Sequence, residues 1–189
     1  MRARRAVFQG VAGCRRLFAA QGYGAVSLSE IVSEAGVTKG ALYHLFESKA
    51  ELFRAVLQQV QQEVAETVAR TADVHDDLWT RLTVGCQAFL TASTAPGIQR
   101  IMLIDGPAVL GWNEWRAMDE AASARHLADA LTALIEEGTI AAQPAAPLTH
   151  LLSGAMNEAA LWLAQSDDPA DLPATQTALA QILEALRMR

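Results

Sequence analysis

Apolar residues along this chain recur every three or four positions rather than every two, and that spacing predicts helices nearly throughout. The sharpest case lies between Ser27 and Lys49. Leu28, Ile31, Val32 and Ala35 repeat at i, i+3, i+4 and i+7 and so share one face, while Ser29, Glu30, Ser33 and Glu34 look outward. Ser27 and Glu30 form an S-x-x-E capping box, Val26 and Ile31 are placed for a hydrophobic staple, and Gly36 marks the end of the helix. A second helix is predicted from near Thr38 to near Phe46. Val37, Leu42, Leu45 and Phe46 are expected to lock it onto its neighbours, leaving Lys39, Gly40, Tyr43 and His44 on the outward face.

Two short amphipathic helices around a glycine-centred turn are the sequence form of a helix-turn-helix DNA reader. The outward face suits that task. Gly40 lets the helix sit deep in a major groove, and Lys39 and His44 can meet base edges or phosphates. Ser48 and Glu51 repeat the capping box, so a further helix starts at once. Lys49 in its first turn opposes the helix dipole, which makes more sense beside a phosphate than for stability.

Beyond the motif, Phe53, Val56, Leu57, Val60, Val64 and Val68 mark one continuous helix from Ala50 to about Thr71. The next runs from about Asp76 to Thr94, with Trp79, Leu82, Cys86, Phe89 and Leu90 on one face, and Pro96-Gly97 breaks it. A short helical piece from Ile98 to Ile104 leads into Asp105-Gly106-Pro107, a turn by composition. A longer helix is expected from Trp112 to Glu137, ending at Gly138. The last third holds two helices, Pro147 to Gln165 and Pro173 to Leu186, separated at Asp167-Asp168-Pro169. The first is apolar nearly all round, with Leu148, Leu151, Leu152, Ala155, Met156, Ala159, Leu161, Trp162 and Leu163, and needs covering on nearly all sides.

Charge sharpens this picture. The 189 residues carry a net charge of −6, which looks wrong for a DNA binder until it is divided by position. Residues 1–50 hold seven basic and three acidic side chains, net +4, and the remainder is net −10. Phosphate neutralisation needs positive charge only on the contacting surface. Arg2, Arg4 and Arg5 fit either an arm reaching the DNA backbone or minor groove, or a solvated end. The two cysteines, Cys14 and Cys86, follow no metal or disulfide spacing, so they read as buried free thiols of a reducing cytoplasm, with redox sensing the other reading. No stretch approaches the apolar length of a membrane span, no signal peptide is visible, and no metal, cofactor or nucleophile-and-base pattern is found, so nothing argues for an enzyme.

The segment resembles the DNA-binding head of the TetR family of bacterial transcriptional regulators. The likeness rests on Leu17-Phe18, Gly22-Tyr23, Ser27, Ile31, Ala35-Gly36-Val37, Lys39-Gly40, Leu42-Tyr43, Phe46, Lys49 and Leu52, with departures at Leu45 and Gly10. It implies an all-α fold: a three-helix head over residues 1–49, joined by a long helix to a helical body over 50–189 that binds an effector and dimerises. It also implies that Tyr43 and Lys49 grip phosphates, that Thr38, Lys39, Gly40 and His44 approach bases, and that Ser27 belongs to the DNA-binding set. The implied partners are an operator in double-stranded DNA, an unidentified small molecule and a second copy of the chain, held through the two C-terminal helices. The long helix takes the part of a lever. For the effector, Trp79, Cys86, Phe89, Met102, Leu103, Trp112, Trp115, Met118, Met156 and Trp162 are candidate pocket residues, with His126, Asn157 or Glu158 as polar anchors. Each also fits an ordinary core position. A homodimeric repressor is the expected function; an activator, or a helical ligand-binding protein whose head no longer reads DNA, is the alternative.

Overall fold

The computed structural model describes residues 2–36 and 38–188, with side chains given from Val11 onward, so the side chains of Arg2, Arg4 and Arg5 and the packing expected of Val37 lie outside the described residues. About 77% of the chain is helical. In chain order the helices are α1 (Arg2–Gln21), α2 (Leu28–Ala35), α3 (Lys39–Leu45), α4 (Lys49–Ala72) and α5 (Leu78–Ser93). A π-helical turn (Arg100–Asp105) then runs directly into α6 (Gly106–Leu110). After Gly111 come α7 (Trp112–Asp119), a second π turn (Glu120–Ala124), α8 (Arg125–Glu136), α9 (Ala145–Leu163) and α10 (Asp171–Glu184). No strand occurs among the described residues beyond one bridge between Ile140 and Arg187. No helix among them is long and apolar enough to cross a membrane.

The chain packs as two units. The first contains residues 1–60 together with 96–116, and the second residues 61–95 together with 117–189. The expected boundary at 49/50 follows the chain, whereas packing gathers the segment after Pro96 with the head residues. In the first unit, Phe18, Ile31, Leu52, Phe53, Leu57, Ile101, Met102, Leu103 and Trp115 are almost wholly removed from solvent. In the second, α5 packs on α8, α9 and α10, around Leu90, Leu131, Leu134, Ala160 and Leu183.

The turn expected at Asp105-Gly106-Pro107 is not made: Gly106 has helical dihedrals and the chain continues as helix through Leu110. The reason is visible in the hydrogen bonds. In the π turn the Gly106 N–H reaches back five residues to the Ile101 carbonyl. The next carbonyl in that register, Met102, would need an N–H from residue 107, and proline has none. The buried Trp115 supplies the donor, its Nε1–H lying 2.7 Å from the Met102 oxygen. A glycine is required at 106 because a Cβ there would sit 2.8 Å from Trp115 Cδ1 and 3.1 Å from the Ile101 oxygen. Proline therefore does not end this helix, since a side chain from the following helix completes its bonding.

Replacing Gly106 by alanine tests this. Helix propensity alone favours alanine by about 1 kcal/mol, but the buried, hydrogen-bonded ring has no room to retreat, and overpacking costs about 1–3 kcal/mol. Gly106→Ala is expected to lower the urea midpoint; an unchanged or raised midpoint would show that Trp115 yields.

Candidate DNA-reading head and ligand cavity

The first half of the motif folds as its sequence dictates. Ser27 Oγ accepts from the Glu30 N–H at 3.2 Å, and Glu30 Oε2 accepts in return from the Ser27 N–H at 2.8 Å. The Ser27 hydroxyl also lies 2.6 Å from that carboxylate, so its hydrogen-bonding capacity is spent on the cap rather than held out to a ligand. These bonds hold the Glu30 carboxyl below the ordinary glutamate range. Gly36 closes the helix in the left-handed conformation, φ 63°. Ile31 is fully buried, with Leu28, Val32 and Ala35 half-buried beside it.

Helix α3 is entered through Thr38, whose Oγ1 accepts from the Ala41 N–H at 3.2 Å. Leu42 anchors it inward. Lys39, Gly40, Tyr43 and His44 all lie on the exposed side, and nothing stands within 4 Å of the position a Cβ would take at Gly40. Leu45 departs from expectation. It is 44% exposed and does not lock the helix, because α3 ends at this residue and the chain turns extended at Phe46, which is half-buried instead.

Lys49 stands apart from that face. Its Nζ donates to the Tyr23 carbonyl at 2.5 Å and lies 4.2 Å from the centre of the Tyr23 ring. Burial pushes its ammonium below the ordinary lysine value, against the pull of the Asp105 and Glu30 carboxylates. Beneath it Glu51 accepts from the Glu47 N–H at 2.6 Å while its own N–H goes to Ser48 Oγ, so the second capping box reaches one residue further back than the first. Tyr23, which enters the family likeness only as one matching residue, makes contacts that the sequence alone does not reveal. Its N–H donates to Asp105 Oδ2 at 2.8 Å, and its ring meets Phe18 and Phe53 at centroid distances of 5.9 and 5.2 Å. Arg100, from the same π turn as Asp105, reaches the Ala20 carbonyl at the end of α1, and its guanidinium fills the space above Gly22, whose φ is 83°. Cys14 is buried in this unit and its thiol is pushed up to about 11 by burial.

The second unit contains a cavity of about 410 Å³ between the last turns of α4, α5, the second π turn with α8, and α9. Of the expected residues, Cys86, Phe89, His126 and Met156 line it. Trp79, Met102, Trp112, Trp115, Met118, Asn157 and Trp162 do not, and neither do Leu103 and Glu158. Trp115 is spent on Met102, Asn157 donates to the buried Asp119 at 2.8 Å, and Trp112 and Trp162 are more than half exposed. The lining comes instead from small residues that leave room, Ala69, Ala72, Gly85, Ala130 and Ala133 among them, with an Arg81–Asp73 ion pair and Asp129 as its charged groups. Burial pushes the Cys86 thiol up to about 12, so it stays protonated and unreactive.

Comparison with known proteins bears on both parts. The family model described as bacterial regulatory proteins, tetR family, matches residues 11–56, and the tetracyclin repressor-like C-terminal domain matches residues 79–186. The chain belongs to the TetR family. A TetR-family transcriptional regulator from Pectobacterium atrosepticum, known from its crystal structure, is 31% identical, covering all of this chain and 97% of that one, with a TM-score of 0.84. The TetC protein of transposon Tn10 from Escherichia coli is 28% identical over 144 residues, 76% of this chain and 73% of its own. FadR of Bacillus subtilis in complex with stearoyl-CoA shares the fold at 16% identity and a TM-score of 0.76, covering 93% of this chain and 96% of its own. This TetR-family chain is thus a transcriptional regulator of all-α fold with an N-terminal helix-turn-helix.

The capping box gives a test with a defined sign. The Glu30 pKa is lowered on folding, so its contribution is complete above the ordinary glutamate value of about 4.3 and is lost as pH falls through the lowered one. Ser27→Ala should cost about 1 kcal/mol at neutral pH. Glu30→Gln should flatten the acid limb of stability between those two values; an acid limb identical to the parent's would exclude the box as a source of pH dependence.

Proposed function

We propose that this regulator is a homodimeric repressor whose two heads read a palindromic operator through Thr38, Lys39, Gly40, Tyr43 and His44. The observation that carries the reading is the outward side of α3, where a cation, a bare backbone position, a phenol and an imidazole lie together and exposed. Tyr43 and Lys39 supply phosphate contacts at the rim of the groove, while Gly40 allows close approach to base edges. Lys49 contributes less directly. Its ammonium keeps two donors beyond the one given to Tyr23, and it holds the entry to α4 while it meets a phosphate. Ser27 acts by fixing the start of α2, since its hydroxyl is used in the cap.

Two heads require two chains. Leu151, Ala155 and Trp162 line the exposed face of α9, and Ala178 and Ile182 that of α10; Leu151 is 72% exposed and Ile182 54%. Apolar stripes on both helices fit a four-helix interface across a two-fold axis, with each head set for a half-site about 34 Å from the next. The cavity of the second unit is the effector site in this reading, supported by its volume and apolar lining and by the fact that its wall includes the last turns of α4, the helix that leaves the head. A ligand seated there favours one position of α4 and so weakens the operator complex, by a coupling of about 1–3 kcal/mol. That FadR of similar fold holds stearoyl-CoA supports an organic ligand in general terms.

The operator is expected as a palindrome in DNA flanking the coding gene, found by footprinting with the purified protein. Binding should fall steeply with salt, and Lys39→Ala should reduce the slope of log affinity against log salt by about 1 per head. Tyr43→Ala combined with Lys39→Ala should weaken binding at least tenfold; unchanged affinity would exclude this docking face. Leu151→Glu with Ile182→Glu should sediment as a monomer, and a persisting dimer would move the interface elsewhere.

A further inference from the structure

Taking the cavity of the second unit as the effector site, its charged groups specify the class of ligand. Most of its wall is aliphatic or aromatic, including Leu82, Phe89 and Met156. Three lining side chains carry a fixed charge at neutral pH: Asp73, Arg81 and Asp129. The Arg81 guanidinium is ion-paired with Asp73 across the α4–α5 turn, so its charge is already answered. Asp129, on α8 one turn after His126, has no ion pair among the described residues. The cavity therefore carries one carboxylate in excess. An anionic ligand would have to share Arg81 with Asp73 while facing Asp129, and a neutral one gains no charge attraction from Asp129. A cation meets the carboxylate, while the buried Phe89 belongs to the apolar part of the wall. The Cys86 thiol, held protonated by burial, adds no negative charge to the cavity.

We propose that the effector is an apolar organic cation, a protonated amine or quaternary ammonium on an aryl or alkyl body, with Asp129 as its counter-ion. The apolar body fills the space left by Gly85, Ala130 and Ala133, and the charged end stays at the mouth beside Asp129, where it remains partly hydrated.

The test is calorimetric titration of the purified protein at neutral pH with three probes of equal length: phenylbutylamine, phenylbutanol and phenylbutyrate. The amine is expected to bind at least tenfold more tightly than the alcohol, and phenylbutyrate least well. Asp129→Asn, on an exposed helix position, should remove the preference of amine over alcohol while leaving alcohol binding unchanged. Ala130→Phe, checked for folding by its melting curve, should abolish binding of all three. Equal or tighter binding of the alcohol or the carboxylate, or a preference that survives Asp129→Asn, would overturn the cation assignment and leave the cavity standing. Absence of binding by every probe, or amine binding that survives Ala130→Phe, would overturn the cavity as effector site and the assignment with it.

Discussion

The first unit of this protein depends on Tyr23. One residue in the connection between α1 and α2 uses its N–H, its carbonyl and its ring on three different segments: Asp105 of the π turn, Lys49 at the start of α4, and the Phe18–Phe53 pair of α1 and α4. Aromatic rings at 5–6 Å in edge and offset arrangements add specificity to apolar burial, and the ammonium over the ring adds a cation–π attraction. None of these contacts is itself a DNA contact. Their effect is to fix the angle at which α2 leaves α1, and through the short α2–α3 turn the direction in which α3 presents its outward side. A helix of only seven residues has little stability of its own, so its orientation must come from such neighbours.

The segment that answers Tyr23 is where the chain departs most from simple sequence rules. Aspartate, glycine and proline in a row are strong punctuation, yet here they sit inside a helical run. The π register gives Asp105 its place opposite the Tyr23 N–H, and it leaves the Met102 carbonyl without a backbone donor, which Trp115 then provides. The wide turn, the proline and the tryptophan form one device. Its elements are local, but the side chain that completes it comes from the helix beyond Gly111, and no window of sequence long enough to read a turn contains it. Single π turns inside α-helices are frequent at functional positions, and here the turn positions both Asp105 and the Met102 carbonyl.

What could be read from sequence was whatever is decided within a few residues. The Ser27–Glu30 box, the left-handed Gly36, the Thr38 cap and the length of α4 all belong to this class. Burial at the ends of short helices did not, because Leu45 continues the apolar period of α3 while the helix itself stops under it. The cavity was harder for a physical reason. Large residues such as Trp115 and Met102 fill space, and an empty volume arises where small ones fail to fill it. Tryptophan and methionine therefore mark core at Trp79, Met102 and Trp115, surface at Trp112 and Trp162, and the wall only at Met156, whereas Ala69, Ala72, Gly85, Ala130 and Ala133, unremarkable in a helix one at a time, mark the void only when their helices are set face to face.

Charge ties the two units to a common logic. The net +4 of residues 1–50 sits on the part that carries α3, and the net −10 sits on the remainder, which holds the cavity. A negative body is not merely a device against non-specific adhesion to DNA. At ranges within a Debye length, about 8 Å at physiological salt, it raises the local concentration of small cations around the cavity mouth, while the head attracts a polyanion by the same field with opposite sign. A cationic effector, as proposed, and an operator would each be drawn to a different part of the chain. Segregated charge would thus let one small chain serve the two proposed binding functions of opposite polarity, with geometry, in α3 and in the cavity wall, left to supply specificity.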